Sequence, residues 1–463
     1  MPTAAALVTL RLLCRRVRHH IIHGYIVTAH SIELLRIYRS SILPLSTRLG
    51  FRGEQFSHQE ERPLATLLIK NIGEFFTGEL ANPQKPIKSI LIESERIVEL
   101  DPPADTKADA TLDAGNSAVM PGLVDGHVHP VFGEWTPTQD TIGWIGNYVH
   151  GGTTTMISAS ELHVPGLDYE NLTPDLVTSL AVVTAATTGR VRWSGAKVHA
   201  GTVILVPGMT ESHFDRLAAA NSILAKFLFY PLATNKDEAL RYNDWCRARG
   251  IRTKVHTGGV SRSGLSQICG YDIIEWLKPD IAAHISGGPI PMSDQDLDKV
   301  IDTTECALEI CSSGNYGSTQ RAVRRLKESG KLARLTLGTD TPGGTGVIPR
   351  GMLRQLCFIC SVCGVSPAEA IAIATGNTAR AHGLDVGILA PGKPADIVIC
   401  GPVQGSAGNS VAEAIAHGDI PGIAYVIANG EIVVSGRSRQ TPPPQRKYFF
   451  SCCDAHVGKF AVT

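Results

Sequence analysis

The feature that most restricts this chain is a central block, roughly residues 123 to 380, in which short apolar strands alternate with helical stretches. Candidate strands lie around Thr153 to Ile157, Val203 to Val206, Ala225 to Phe229, Arg252 to His256, Ile281 to His284 and Leu335 to Gly338. Strands spaced by helical lengths read as βα units around a parallel sheet. About 250 residues of them is the size of one (β/α)8 barrel, a fold whose chemistry sits at the C-terminal strand ends.

Polar residues recur at those ends. The stretch Val124-Asp125-Gly126-His127-Val128-His129 carries two imidazoles on one face, because alternate side chains of a strand point the same way. Lys226, His256, His284 and Asp340 follow at the ends of later strands. Each has an ordinary explanation. A strand-end histidine is commonly a hydrogen-bonded packing residue, Lys226 can snorkel to a rim, and Asp340 ahead of Thr341-Pro342 can open a turn. A barrel nevertheless carries all of them to one mouth, where four imidazoles, an aspartate and a bridging group suit two divalent ions. Gly258-Gly259 and Gly287-Gly288, shortly after two of the histidines, let a substrate or loop backbone come close.

The flanks have a different texture. Short strands with Gly, Pro and Asn punctuation run from about Leu64 to Leu100 and return at Ala395 to Ile399 and Tyr425 to Val434, where Asn429-Gly430 signals a tight hairpin. Two such segments bracketing a barrel are expected to join as one small β-sandwich. The expected organisation is an Arg-rich extension over 1–62, sandwich strands in 63–122 and 386–438, the barrel over 123–385, and a Pro-rich tail over 439–463. Residues 1–50 hold seven arginines, no lysine and a single acid, Glu33, a targeting-like composition without a clear cleavage region that reads equally as a membrane-surface helix or as a wrongly extended start of the reading frame.

Composition removes several function classes. Lys+Arg and Asp+Glu are both 43, so no basic field for nucleic acid exists. No apolar run is long enough to span a bilayer. Eleven cysteines without regular pairing suit a reducing compartment, and a cytoplasmic protein is expected. Cys357, Cys360 and Cys363 have the spacing of an iron–sulfur run but sit on a helical stretch with no nearby fourth cysteine, which reads as buried thiols on one helix face. Cys452-Cys453 follows Pro442-Pro443-Pro444 and is expected in a disordered end.

Pro121-Gly122-Leu123-Val124-Asp125-Gly126-His127-Val128-His129, the later single histidines, the strand aspartate and Ala390-Pro391-Gly392-Lys393-Pro394-Ala395-Asp396-Ile397-Val398 together resemble the amidohydrolase superfamily over roughly Leu64 to Gly436. Within it, Glu161-Leu162-His163-Val164-Pro165-Gly166, Lys197-Val198-His199-Ala200-Gly201 and Gly418-Asp419-Ile420-Pro421-Gly422 are most similar to the enamidase branch, which opens the ring of a tetrahydro-oxonicotinate in nicotinate breakdown. The resemblance implies a binuclear centre of zinc and iron, with His127, His129 and Asp340 on one ion and His256 and His284 on the other. It also implies a bridging carboxylate near the end of the fourth strand. Lys226 departs from the acidic residue expected there and could bridge only as a carbamate, since an ammonium repels cations.

The implied reaction is hydrolysis of a small cyclic amide by a metal-activated hydroxide, with Asp340 moving the proton and the freed enamine passing through an imine to an aldehyde. His163 and His199 are candidates for substrate contact, and Arg262 for a substrate carboxylate. A homotetramer is implied by the same likeness. Two other readings stay open: hydrolysis or deamination of a hydantoin-like or imidazolone-like ring, and a non-catalytic scaffold that has kept the barrel.

Overall fold

A computed structural model of the chain describes residues 66–130, 135–136, 141–192 and 194–452. The Arg-rich extension over 1–62 and Cys453 lie outside the described residues.

The central block forms a closed parallel barrel. Its strands are β1 (Leu123–Val128), β2 (Thr153–Ser158), β3 in two pieces (Lys197–His199 and Val203–Ile204), β4 (Leu224–Phe227), β5 (Arg252–His256), β6 (Ile281–Ala283), β7 (Ala307–Cys311) and β8 (Leu335–Gly338). Each pairs in parallel with the next, from β1 to β8. The ring closes where Asp340 N–H donates to the His127 carbonyl at 2.8 Å and His129 N–H to that of Thr341 at 2.6 Å.

β3 breaks because the Glu161 carboxylate replaces a strand as acceptor for the N–H groups of Gly201 (2.6 Å) and Thr202 (3.1 Å). Gly201 permits the break: its φ is +98°, and a Cβ there would meet Ala185 Cβ at 2.6 Å. The outer helices follow ordinary start signals. Pro174–Thr188 is capped by Thr173 with Pro at its first turn, and Asp294–Thr303 by Ser293. Tyr316–Glu328 buries Ala322, Val323 and Leu326 on one face.

Strands from both ends of the described chain build two further sheets. One runs Phe449–Cys452, Ala110–Asp113, Thr66–Lys70, Ile90–Glu93, Arg96–Leu100; the other includes Ile397–Gly401 antiparallel to Ala118–Pro121. Their inner faces share a core of Leu67, Ile69, Ile92, Val119, Ile397 and Ile427. Asn429 (φ 52°) and Gly430 (φ 79°) make the expected tight turn between Gly422–Ala428 and Glu431–Val434. Asp396 ties this layer to the barrel by accepting from Lys197 Nζ of β3.

The Pro-rich segment after residue 438 does not lead away as a disordered tail. Thr441 Oγ1 accepts from Ile423 N–H, Gln445 N–H donates to Pro402, and Phe449–Cys452 adds an edge strand to Ala110–Asp113. Prolines fit this path because it crosses the ends of Gly422–Ala428 and Ile397–Gly401, where Pro444 and Pro442 lie against Gly422 outside the strand ladders, while Tyr448 and Phe450 pack against the sandwich core. Cys357, Cys360 and Cys363 are free and buried, and burial pushes the Cys357 thiol up to about 12 and that of Cys363 to about 11.

Candidate metal centre and active site

β1 and β8 deliver the first half of the site. His127 on β1 and His129, one residue beyond its end, have ring centroids 5.2 Å apart. Asp340 Oδ1 lies 2.9 Å from His129 Nε2 and 3.5 Å from His127 Nε2. Lys226 Nζ of β4 lies 3.2 Å from the same His127 nitrogen. Asp340 holds φ at +60°, an uncommon conformation for a side-chain-bearing residue and one that tends to mark functional positions. Gly344 makes room for its carboxylate, since a Cβ there would sit 2.0 Å from Asp340 Oδ2.

β5 and β6 deliver the second half. His256 Nδ1 and His284 Nε2 are 3.2 Å apart, and the rings of His127 and His284 are 5.4 Å apart. His256, His284, Lys226, His129 and Asp340 thus face one cavity, with His127 directly beneath it.

The outward nitrogens are mostly accounted for. His127 Nδ1 bonds Glu309 Oε1 at 2.5 Å, His129 Nδ1 bonds Ser160 Oγ at 2.9 Å, and His256 Nε2 bonds the Gly259 carbonyl at 2.7 Å. His284 Nδ1 is buried without a partner. Burial holds all four imidazoles below their usual pKa, His256 at about 4, and so favours the neutral form that binds metal. Burial also brings the Lys226 ammonium down to about 8.

This donor set fits a pair of divalent ions. Each imidazole turns one nitrogen toward the common volume, and outer partners orient three of the four, the usual arrangement around a metal. Among the described residues, His127, His129 and Asp340 present donor atoms all within 4.8 Å of one another. His127, Glu309 and Cys311 do so too, but there the facing His127 nitrogen is already hydrogen-bonded to Glu309.

The cavity above these groups measures about 580 Å³, with Leu162, Tyr169, Leu228 and Phe229 as walls and Arg262 at its mouth. His163 lines it, its ring 4.4 Å from that of His129 and its Nδ1 buried without a partner. His199 does not line it; burial, then Lys197 and Arg192, lower its pKa to about 4. An open groove of about 630 Å³ on the outer helices is lined instead by groups such as Asp294, Asp298, Arg321 and Arg325, with no such histidine cluster.

Several residues of the site escape a strand-end reading. Glu309 sits mid-strand in β7, and Lys254 lies two residues before His256 on β5. Asp125, two before His127, accepts from Thr339 N–H at 2.9 Å and Thr339 Oγ1 at 2.6 Å, and burial pushes its pKa up to about 7. The detectable signal is the alternation itself: an ionisable residue at i−2 from a ligand faces the same way one layer deeper.

These features define a metal-dependent hydrolase barrel, and the chain belongs to the amidohydrolase family. Residues 280–433 match that family. The chain is 38% identical to the enamidase of Eubacterium barkeri over 386 residues, 83% of this chain and 99% of the relative. The crystal structure of an enamidase, described as a new member of the amidohydrolase superfamily, superposes with a TM-score of 0.78 over 83% of this chain and 100% of that one, at 37% identity. An imidazolonepropionase of Salinispora tropica is 25% identical over 376 residues, 73% of this chain and 92% of the relative.

Proposed function

We propose that the chain hydrolyses the ring C–N bond of a small cyclic amide, an enamide or lactam, in the manner of an enamidase in nicotinate-type heterocycle breakdown. The observation that carries this reading is the convergence of His127, His129, Lys226, His256, His284 and Asp340 at the base of one aromatic-walled cavity. The likeness to enamidase along nearly that relative's whole length supports it.

His127, His129 and Asp340 would hold one divalent ion and His256 and His284 the other, with Lys226 between them as a carbamate; zinc and iron are the expected metals. Bound ions would polarise the amide carbonyl and lower the pKa of water toward neutrality. Asp340 takes a proton from the attacking water as its oxygen bonds the carbonyl carbon. It then returns that proton to the ring nitrogen as the C–N bond breaks, giving an enamine and a carboxylic acid that releases its remaining proton to solvent. Tyr169 and Phe229, with ring centroids 5.8 Å apart, wall the cavity against a flat ring. Arg262 and His163 supply polar contact at the mouth and floor, Arg262 matching a substrate carboxylate.

The same reading takes 123–385 as the catalytic barrel and 63–122 with 386–438 as the sandwich, in a cytoplasmic homotetramer. Among the described residues no helix is long and apolar enough to cross a membrane.

The test is a panel of cyclic amides incubated with metal-loaded protein and followed by product mass. Ring opening of tetrahydro-oxonicotinate is the expected result. Turnover of an imidazolone or hydantoin instead would move the substrate while keeping the reaction, and no opening of any ring would overturn it.

A further inference from the structure

Beneath the metal centre the barrel holds a charged pair that the proposed chemistry does not use. Lys254 of β5 and Glu309 of β7 are both fully buried. Lys254 Nζ donates to Glu309 Oε2 at 2.7 Å and to the Gly126 carbonyl at 2.8 Å. Glu309 Oε1 in turn accepts from His127 Nδ1 at 2.5 Å, with the Cys311 thiol at 3.6 Å from the same oxygen. Removing two charges from water is costly, and an apolar pair of similar volume would commonly serve stability as well.

We infer that Lys254 and Glu309 are positioning residues for His127, a relay that fixes the tautomer and angle of this imidazole and thereby governs how firmly the β1 side of the site keeps its ion. A carboxylate can only accept, so the proton must stay on Nδ1 and the Nε2 lone pair must point to where Lys226 and Asp340 meet. Lys254 adds two restraints. It fixes the Glu309 carboxylate by a charge-assisted hydrogen bond, and its bond to Gly126 pins the β1 backbone one residue before His127. Because Lys254 and His256 share a face of β5, the strand that carries a ligand for one ion also steadies the ligand of the other.

This inference rests on the reading of His127 as a ligand, and the experiment separates the two. Full-length Glu309→Gln and the pair Lys254→Met/Glu309→Gln are loaded with cobalt, and ion loss to a chelator and melting temperature are recorded. The single variant leaves an unpaired buried ammonium, so it should melt lower and lose its ion roughly 10–100-fold faster than the parent. The paired variant should recover much of the melting temperature yet still lose its ion about tenfold faster, because a neutral amide holds the imidazole less firmly. Ion retention that merely follows melting temperature, or that equals the parent's in the paired variant, would overturn the relay. A parent that binds no ion would overturn the ligand reading itself. If neither variant is soluble, the cobalt-loaded parent decides by proton NMR: a paramagnetically shifted ring N–H of His127 that exchanges slowly with solvent is expected, and its absence would contradict the relay.

Discussion

The two halves of the candidate metal site are held in different ways. On the β1 side, His127 and His129 are fixed by side chains reaching in from elsewhere, Glu309 of β7 and Ser160 after β2. On the β5 and β6 side, His256 is held within its own loop by the carbonyl of Gly259 at 2.7 Å and, more distantly, by Ser266 Oγ at 3.4 Å, and His284 has a buried Nδ1 without a partner. A side chain reaching across from another element preorganises a ligand, whereas a carbonyl of the ligand's own loop beside glycines leaves its angle adjustable. The first half therefore reads as the fixed platform and the second as the part that can adapt to the ion and substrate.

The largest effect is expected at the platform's carboxylate. Asp340→Asn should lower turnover by roughly 10²–10⁴-fold, the usual scale of a lost general acid–base, while leaving metal content largely intact. Near-normal turnover would remove Asp340 from the proton path.

A smaller effect should distinguish the halves directly. Ser160→Ala deprives His129 of its outer partner and should weaken ion retention by about tenfold, the lower end for loss of such a partner. Ser286→Ala, two residues beyond His284 in sequence and with a buried, unpaired hydroxyl, should leave retention unchanged. Equal losses in both variants, measured by chelator competition, would erase the proposed asymmetry.

The smallest expected effect is on pH-dependent stability. Burial depresses His199 and His256 to about 4 and His382 to about 3, so on acidification the unfolded chain takes up protons before the folded one. Stability of the metal-free protein should be full above the unfolded histidine pKa of about 6.5 and fall as pH drops from there toward 4. A melting temperature that is flat or rising between pH 7 and pH 5 would contradict neutral buried imidazoles.

How legible each half was in the sequence follows the same division. The ligand candidates stand at strand ends, where alternation puts His127 with His129 and barrel closure brings Asp340 to them. Lys254 and Glu309 give a weaker signal, because a charge inside an apolar strand looks like an exposed position without its partner across the barrel. Ser160 gives no signal beyond a polar loop residue. The break in β3 depends on Glu161 capping Gly201 and Thr202, a contact 40 residues apart that no local pattern encodes. The Pro-rich segment misleads for a related reason, since prolines forbid a central strand but not a path across strand ends that leads into the Phe449–Cys452 edge strand.

The most direct test of the account is the metal content of the purified full-length chain, measured by elemental analysis alongside a His284→Asn variant. The account predicts about two divalent ions per chain in the parent and about one in the variant, with the β1 platform still filled. A parent that carries no tightly held ion, or a variant that keeps as many ions as the parent, would contradict it.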